Sequence, residues 1–148
     1  MKINQIRLKN FRNYDSCQFI PDPHMNVIIG KNAQGKTNLL ESIVLLSTTR
    51  SHRAVRDQDM IREGQDFCKA ECRLNTEPEM VLSAVIHGKG KTLMIHQKPV
   101  SRSSEFIGKL NAVLFAPSDL ELFEACAKGF IEGCGGKLSQ EEIKLLPM

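Results

Sequence analysis

Apolar and polar positions alternate at the start of the chain. Ile3, Ile6 and Leu8 are set against Lys2, Arg7 and Lys9, and a second strand-like stretch runs from Ser16 to Ile20. Asn13-Tyr14-Asp15 between them predicts a hairpin turn. Pro21-Asp22-Pro23 breaks the pattern, and Met25-Asn26-Val27-Ile28-Ile29 follows as a short apolar run that predicts a buried strand. The period then changes. Leu39, Ile43 and Leu46 recur at helical spacing, with Leu40 and Val44 widening the stripe, so a helix is expected from Lys36 to Leu46 with that side towards a core. From Phe67 to Gln97 strand-like runs alternate with turns: Cys68 to Leu74, Met80 to Ile86 and Thr92 to His96, separated by Asn75–Glu79 and His87–Lys91. This predicts an antiparallel meander beside the first strands. Cys68 and Cys72 would share one face of their strand. A short helix is expected over Ser101–Gly108 and a buried strand over Ala112–Phe115, ending at Pro117. Near the C-terminus, Ser139 and Glu142 form a capping box, flanked by Leu138 and Ile143 at staple spacing.

The junction between the apolar run and the helix carries the chemistry. Gly30-Lys31-Asn32-Ala33-Gln34-Gly35-Lys36-Thr37 fills every fixed position of G-x-x-x-x-G-K-[ST], followed by Asn38. Gly30 and Gly35 permit backbone conformations closed to residues with a Cβ, so successive N–H groups can surround a phosphate. The helix start adds unpaired N–H groups and the positive dipole end. Lys36 would reach the β- and γ-phosphates, and the Thr37 hydroxyl would belong to the shell of a Mg²⁺ ion. Strand, glycine loop and helix in that order predict a nucleoside triphosphate site with ATP and Mg²⁺ as cofactors.

The 148 residues suffice for one domain with a real core, and 41% hydrophobic with 25% charged residues places the chain among globular proteins. No apolar run approaches the roughly 20 residues of a membrane span, and the N-terminus has no secretory apolar stretch, so a cytoplasmic protein without membrane contact is expected. Cys17, Cys68, Cys72, Cys126 and Cys134 fit no zinc or redox spacing and read as reduced thiols. The net charge of +3 does not by itself imply nucleic acid. The arginines after the helix are the candidate polyanion contacts: Arg50, Arg53 and Arg56, the last two one turn apart if their segment is helical.

Several segments together narrow the class. Lys9-Asn10-Phe11-Arg12-Asn13-Tyr14, the loop through Asn38-Leu39-Leu40-Glu41, Arg50-Ser51-His52-Arg53, Ile107-Gly108-Lys109-Leu110 and Val113-Leu114-Phe115-Ala116-Pro117-Ser118-Asp119-Leu120 resemble, in order, the RecF family of bacterial DNA replication and repair proteins. The resemblance covers residues 1 to 122. It implies an α/β fold: a P-loop NTPase, the first lobe of an ABC-type, SMC-like ATPase head with an antiparallel β subdomain. It also implies a recombination mediator that binds ATP, dimerises around it and associates with gapped or single-stranded DNA. Such a protein aids RecA loading and the SOS response with RecO and RecR. By the same resemblance Arg12 lies near the nucleotide, and Phe115–Asp119 takes the place of the glutamine loop, although this chain has no glutamine there.

An ABC ATPase also needs an apolar strand ending in paired acids, and a serine-glycine signature motif. Neither occurs in this chain, so no catalytic residue is assigned, and binding of ATP without hydrolysis is expected. Residues 123–148 depart from the family and form a divergent tail. The rival reading is a P-loop kinase or phosphotransferase acting on a small metabolite, which would leave the Phe11–Tyr14 and Arg50–Arg53 segments unexplained. A nucleotide-binding interaction module without a DNA role is a third.

Overall fold

The computed structural model describes residues 2–31 and 34–115. The chain divides into two units, Met1–Val113 and Leu114–Met148, and the fold that follows is that of the first. Period-two alternation at the N-terminus produces a hairpin of β1 (Ile3–Phe11) and β2 (Tyr14–Phe19). The turn is tighter than expected. Phe11 pairs with Tyr14, so Arg12 and Asn13 make the turn and Tyr14 is already in the returning strand. Arg12 adopts a φ of 54°, in the left-handed region where two-residue hairpin turns favour glycine or asparagine.

The meander forms as expected. β3 (Phe67–Leu74), β4 (Met80–His87), β5 (Gly90–Ile95) and the short β6 (Lys98–Pro99) follow one another, and β3 also pairs with β1. The result is a six-stranded antiparallel sheet in the order β2-β1-β3-β4-β5-β6. Register aligns the apolar positions into rows across three strands: Ile6 with Cys72 and Leu82, Leu8 with Ala70 and Ala84. These rows are buried, and α1 (Lys36–Thr48) packs over β3 and β4 with Leu39, Leu45 and Leu46 in the same core. A 3₁₀ turn (Asp57–Met60) and α2 (Ser103–Phe106) add Met60 and Phe106. Among the described residues no helix is long and apolar enough to cross a membrane.

Three expectations are corrected. Residues 25–29 are not a strand, and Met25, Val27 and Ile29 are exposed. A strand exists through its hydrogen-bonded neighbours, and the described residues supply none beside this run. The same holds for residues 112–115: no strand forms, and Val113 is fully exposed. In α1 the buried side is rotated from the apolar stripe. Leu40 is exposed and Ile43 only half-buried, while Glu41, Ser42 and Ser47 are inside. The Ser139–Glu142 capping box and the Leu138–Ile143 staple lie outside the described residues.

Cys68 and Cys72 face the core beside Ala70, and burial pushes both thiols up to about 12. The half-buried Cys17 thiol is raised as well. Thiolate is the reactive form, so both core cysteines should resist iodoacetamide in the native protein at about pH 8 and react fully in denaturant. Peptide mapping by mass spectrometry checks this; native labelling of either would mean that the core face of β3 is uncovered.

Candidate functional site

Gly35 is the N-cap of α1, with a φ of 99° that only glycine adopts without strain. Its surroundings are as restrictive as its torsion. A Cβ on Gly35 would lie 2.8 Å from Asn13 Oδ1 and 2.9 Å from the Tyr14 ring carbon and hydroxyl, so the tip of the β1–β2 hairpin closes directly on the glycine. The Tyr14 hydroxyl donates to the Gly35 carbonyl at 3.1 Å, and Asn38 Nδ2 donates to Asn13 Oδ1 at 2.8 Å. Hairpin tip and helix start are thus one packed unit, although Tyr14 and Gly35 are 21 residues apart in the chain.

The unit encloses a cavity of about 370 Å³ lined by Asn13, Gln34, Gly35, Lys36, Thr37, Asn38 and Arg53. Lys36 folds back over the loop, its ammonium donating to the carbonyls of Gly30 and Lys31 at 2.6 Å each. Thr37 is exposed on the cavity wall. Of the sequence-predicted residues Gln34 and Asn38 line this space and Lys31 offers its carbonyl to Lys36, while Asn32 and Ala33 lie outside the described residues. A glycine that tolerates no Cβ, a lysine in reach of the loop and an open polar cavity at a helix N-terminus suit a polyphosphate. For a divalent cation the described lining offers the Thr37 hydroxyl and no carboxylate.

Behind the cavity sits a buried carboxylate. Glu41 has no solvent exposure and receives a forked pair from Arg12, with Nη2 at 2.7 Å and Nε at 3.0 Å. Arg12 Nη1 donates to the Asp59 carbonyl at 2.7 Å. The Ser51 hydroxyl also donates to Glu41, and Arg53 Nη1 lies 3.8 Å from it while donating to Asn38 Oδ1 at 3.1 Å. Burial alone would raise the Glu41 carboxyl. The hydrogen bonds from Arg12 and Ser51, with the charges of Arg12 and Arg53, outweigh it and hold the group below its ordinary value. The Arg12 guanidinium is raised in turn, chiefly by its hydrogen bond to Glu41. Arg12 therefore stands beside the site with three N–H groups engaged by protein. Asn13, Tyr14, Glu41 and Ser51 lie in the segments that carry the family resemblance, but the sequence assigns them no role at the site. Glu41 closes the Asn38–Glu41 segment that carries the family resemblance, and the periodicity of the helix gives no further signal for it.

The three candidate polyanion contacts do not form one face. Residues 50–56 are not helical, so Arg53 and Arg56 are not stacked on successive turns. Arg53 lines the polar cavity at the start of α1. Arg56 pairs with Asp59 at 3.3 Å at the start of the 3₁₀ turn. Arg50 is exposed beside Asp57 and Lys91, where Lys91 clips the loop by donating to the Thr49 carbonyl and to Asp57 at 2.8 Å.

The chain belongs to the AAA ATPase domain family, whose model matches residues 1–132. It is similar to the DNA replication and repair protein RecF of Staphylococcus aureus strain Newman, with 45% identity over 123 residues. That alignment covers 82% of this chain and 33% of the relative, so the chain spans about a third of the length of such relatives. Among solved structures it resembles one described as the recombination mediator protein RecF with ATP in the RecFOR pathway. The TM-score is 0.75 at 28% identity, covering 81% of this chain and 34% of that one. A structure from work on ATP-driven dimerization and DNA-stimulated activation of SMC ATPases shares the fold, with a TM-score of 0.71 at 21% identity, over 99% of this chain and 97% of that one. The fold is therefore the P-loop, ABC-type first lobe expected from the sequence.

Removing one partner of a buried ion pair costs about 3–5 kcal/mol, so Glu41→Gln should destabilise the protein markedly at neutral pH. Because the folded Glu41 pKa lies below the unfolded one, its contribution is fully present above about pH 4.3 and is lost as pH falls through the folded value. Urea titrations of parent and variant across this window should show their stability difference shrinking on acidification. A difference independent of pH would assign the loss to packing alone.

Proposed function

We propose that this chain binds ATP through Lys36, Thr37 and the N–H groups of the Gly30–Thr37 loop, and that it is the nucleotide-binding first lobe of a RecF-type DNA repair and recombination mediator. One observation carries the reading: the hairpin tip closes on Gly35, leaving a polar cavity at the start of α1 that is walled by Lys36, Thr37, Asn38 and Arg53. Lys36 would exchange its loop carbonyls for the β- and γ-phosphates, and Arg53, held on Asn38, would add a second cation. Gln34 and Asn38 would border the phosphates, with Lys31, Asn32 and Ala33 contributing loop N–H groups. Arg12 would act from behind, by fixing the hairpin tip that shapes the cavity. Mg²⁺, if bound with the nucleotide, would take the Thr37 hydroxyl as its protein ligand, and would neutralise phosphate charge there.

The wider role rests on likeness to RecF. DNA is the proposed macromolecular partner, single-stranded, gapped or duplex, with RecO and RecR as protein partners, ATP-dependent dimerisation of the larger head, and action in the cytoplasm. These likenesses favour repair over the metabolite-kinase alternative, which accounts for neither the hairpin tip nor the Arg50–Arg53 segment. Hydrolysis is a separate matter. Turnover needs a carboxylate to hold the metal and a group to orient water. Among the described residues none of the cavity walls is acidic, and Asp119 lies outside them.

Lys36→Ala should weaken binding of a fluorescent ATP analogue by up to about a hundredfold, since a charge-assisted contact contributes about 1.5–3 kcal/mol, less what the lysine gives up at the loop carbonyls. The circular dichroism spectrum should not change, because Lys36 is at the surface. Equal affinity in variant and parent would refute the site. In a phosphate-release assay the parent should turn over ATP no faster than Lys36→Ala, with or without DNA. Turnover lost in both Lys36→Ala and Asp119→Asn would instead identify Asp119 as the missing acid.

A further inference from the structure

With Arg53 in the phosphate cavity and Arg56 in a local ion pair, a nucleic-acid contact needs another surface, and the sheet offers one. The side of the sheet away from α1 carries Arg7 and Lys9 on β1, and Lys69 and Arg73 on β3. Together with Glu71 they line a shallow depression of about 410 Å³. Register sharpens this. Lys9 lies directly opposite Lys69, a like-charge cross-strand pair, which is an arrangement that destabilises a sheet. On the same face, β4 and β5 present Val81, Ser83, Val85, Thr92 and Met94, so the cations are concentrated along β1 and β3.

The surrounding carboxylates compensate only in part. Glu71 is nearly buried and serves both Lys69 at 2.7 Å and Arg7 at 4.0 Å. Asp15 is shared between Arg62 at 3.0 Å and Lys9 at 3.6 Å, and Arg73 has only Glu79, at 3.8 Å, among the described residues. Arg73 Nε is buried without an acceptor among the described residues. Five cations thus face three carboxylates, and two of the contacts, Lys9–Asp15 and Arg73–Glu79, are long and solvent-exposed, the kind that exchange readily for a stronger anion. From Lys69 to Arg73 the strip extends about 14 Å at strand rise, the axial length of about four nucleotides of one strand.

We propose that the β1–β3 face, through Arg7, Lys9, Lys69 and Arg73, is a docking surface for the phosphate backbone of a nucleic-acid strand. The spacing matches a linear array of phosphates better than a compact anion, and the neutral residues of β4 and β5 leave the strip one well-defined direction. No base edge is read by such a surface, so binding is indifferent to sequence and strongly dependent on salt. The proposal rests on the repair reading only in choosing nucleic acid as the polyanion; it does not require the nucleotide site.

The test uses the full chain and a variant carrying Arg7→Gln, Lys9→Gln, Lys69→Gln and Arg73→Gln, with fluorescein-labelled single-stranded and duplex oligodeoxynucleotides. Fluorescence anisotropy between about 50 and 200 mM salt should give the variant a slope of log affinity against log salt smaller by about three units on duplex. An Arg50→Gln, Arg56→Gln variant should keep the parental slope. Lys9→Arg with Lys69→Arg should retain binding, and is the reference if the fourfold variant melts early. Parental slope in the fourfold variant, no binding by the parent at low salt, or displacement by polyglutamate as effective as by DNA would each overturn the proposal. ATP-analogue binding, measured on the same preparations, separates the outcomes: its loss with DNA binding intact refutes the nucleotide site alone.

Discussion

The forked ion pair between Arg12 and Glu41 is the contact on which the site depends. It joins the tip of the first hairpin to the middle of α1 and, through Ser51 and Arg53, to the segment after the helix. Those three pieces of backbone form the walls of the polar cavity at the start of α1. The pair also explains a local oddity. Arg12 sits at a left-handed φ, which costs a non-glycine residue about 1–2 kcal/mol, and two hydrogen bonds to a fully buried carboxylate, with a third to the Asp59 carbonyl, outweigh that cost. Lysine could not replace it, because a single ammonium cannot engage both carboxylate oxygens and a distant carbonyl in one fixed plane.

What could be read from the chain follows from the range of the forces involved. The hairpin, the meander and the start of α1 were legible because alternation, turn residues and glycine spacing are local, and the sheet simply completes them. The buried side of α1 was not. An apolar stripe places Leu40 inside and Glu41 outside, and the structure has the reverse. The deciding partner, Arg12, is 29 residues away, and nothing in the helix's own periodicity reports it. The place of Arg53 was hidden for a similar reason: grouped with its neighbours it reads as a basic stretch, whereas Asn38, in the first turn of the helix, draws it to the cavity. The apolar runs at 25–29 and 112–115 show the converse failure. Composition identifies a segment that can be a buried strand, but neighbours decide whether it is one.

The division of the cradle follows from the same point. Its C-terminal side is fixed by what this chain supplies: Gly35 against Asn13 and Tyr14, and α1 against β3 and β4. Its N-terminal side, entering through the exposed 25–29 run, has only the Asp22–Asn26 turn and the two carbonyl contacts of Lys36 among the described residues. Alongside lies an apolar groove of about 310 Å³ lined by Ile6, Phe19, Ile28, Leu39, Leu40 and Ile43, which accounts for the exposure of Leu40.

Under the proposed function Lys36 would have two tasks that compete. It holds the entering loop by the carbonyls of Gly30 and Lys31; a polyphosphate in the cavity would have to draw it away from both. Binding is then an exchange of two hydrogen bonds for a charged contact, and the net gain is smaller than the contact alone suggests. The entering segment would lose its tether at the same step, unless the loop N–H groups close on the phosphate and replace it. If Lys36 is the phosphate ligand proposed above, nucleotide affinity and the order of residues 25–31 would be coupled through one side chain, and an alanine at position 36 would remove both the ligand and the tether. For that reason the loss seen in Lys36→Ala measures the difference between two lysine environments and not the strength of the phosphate contact.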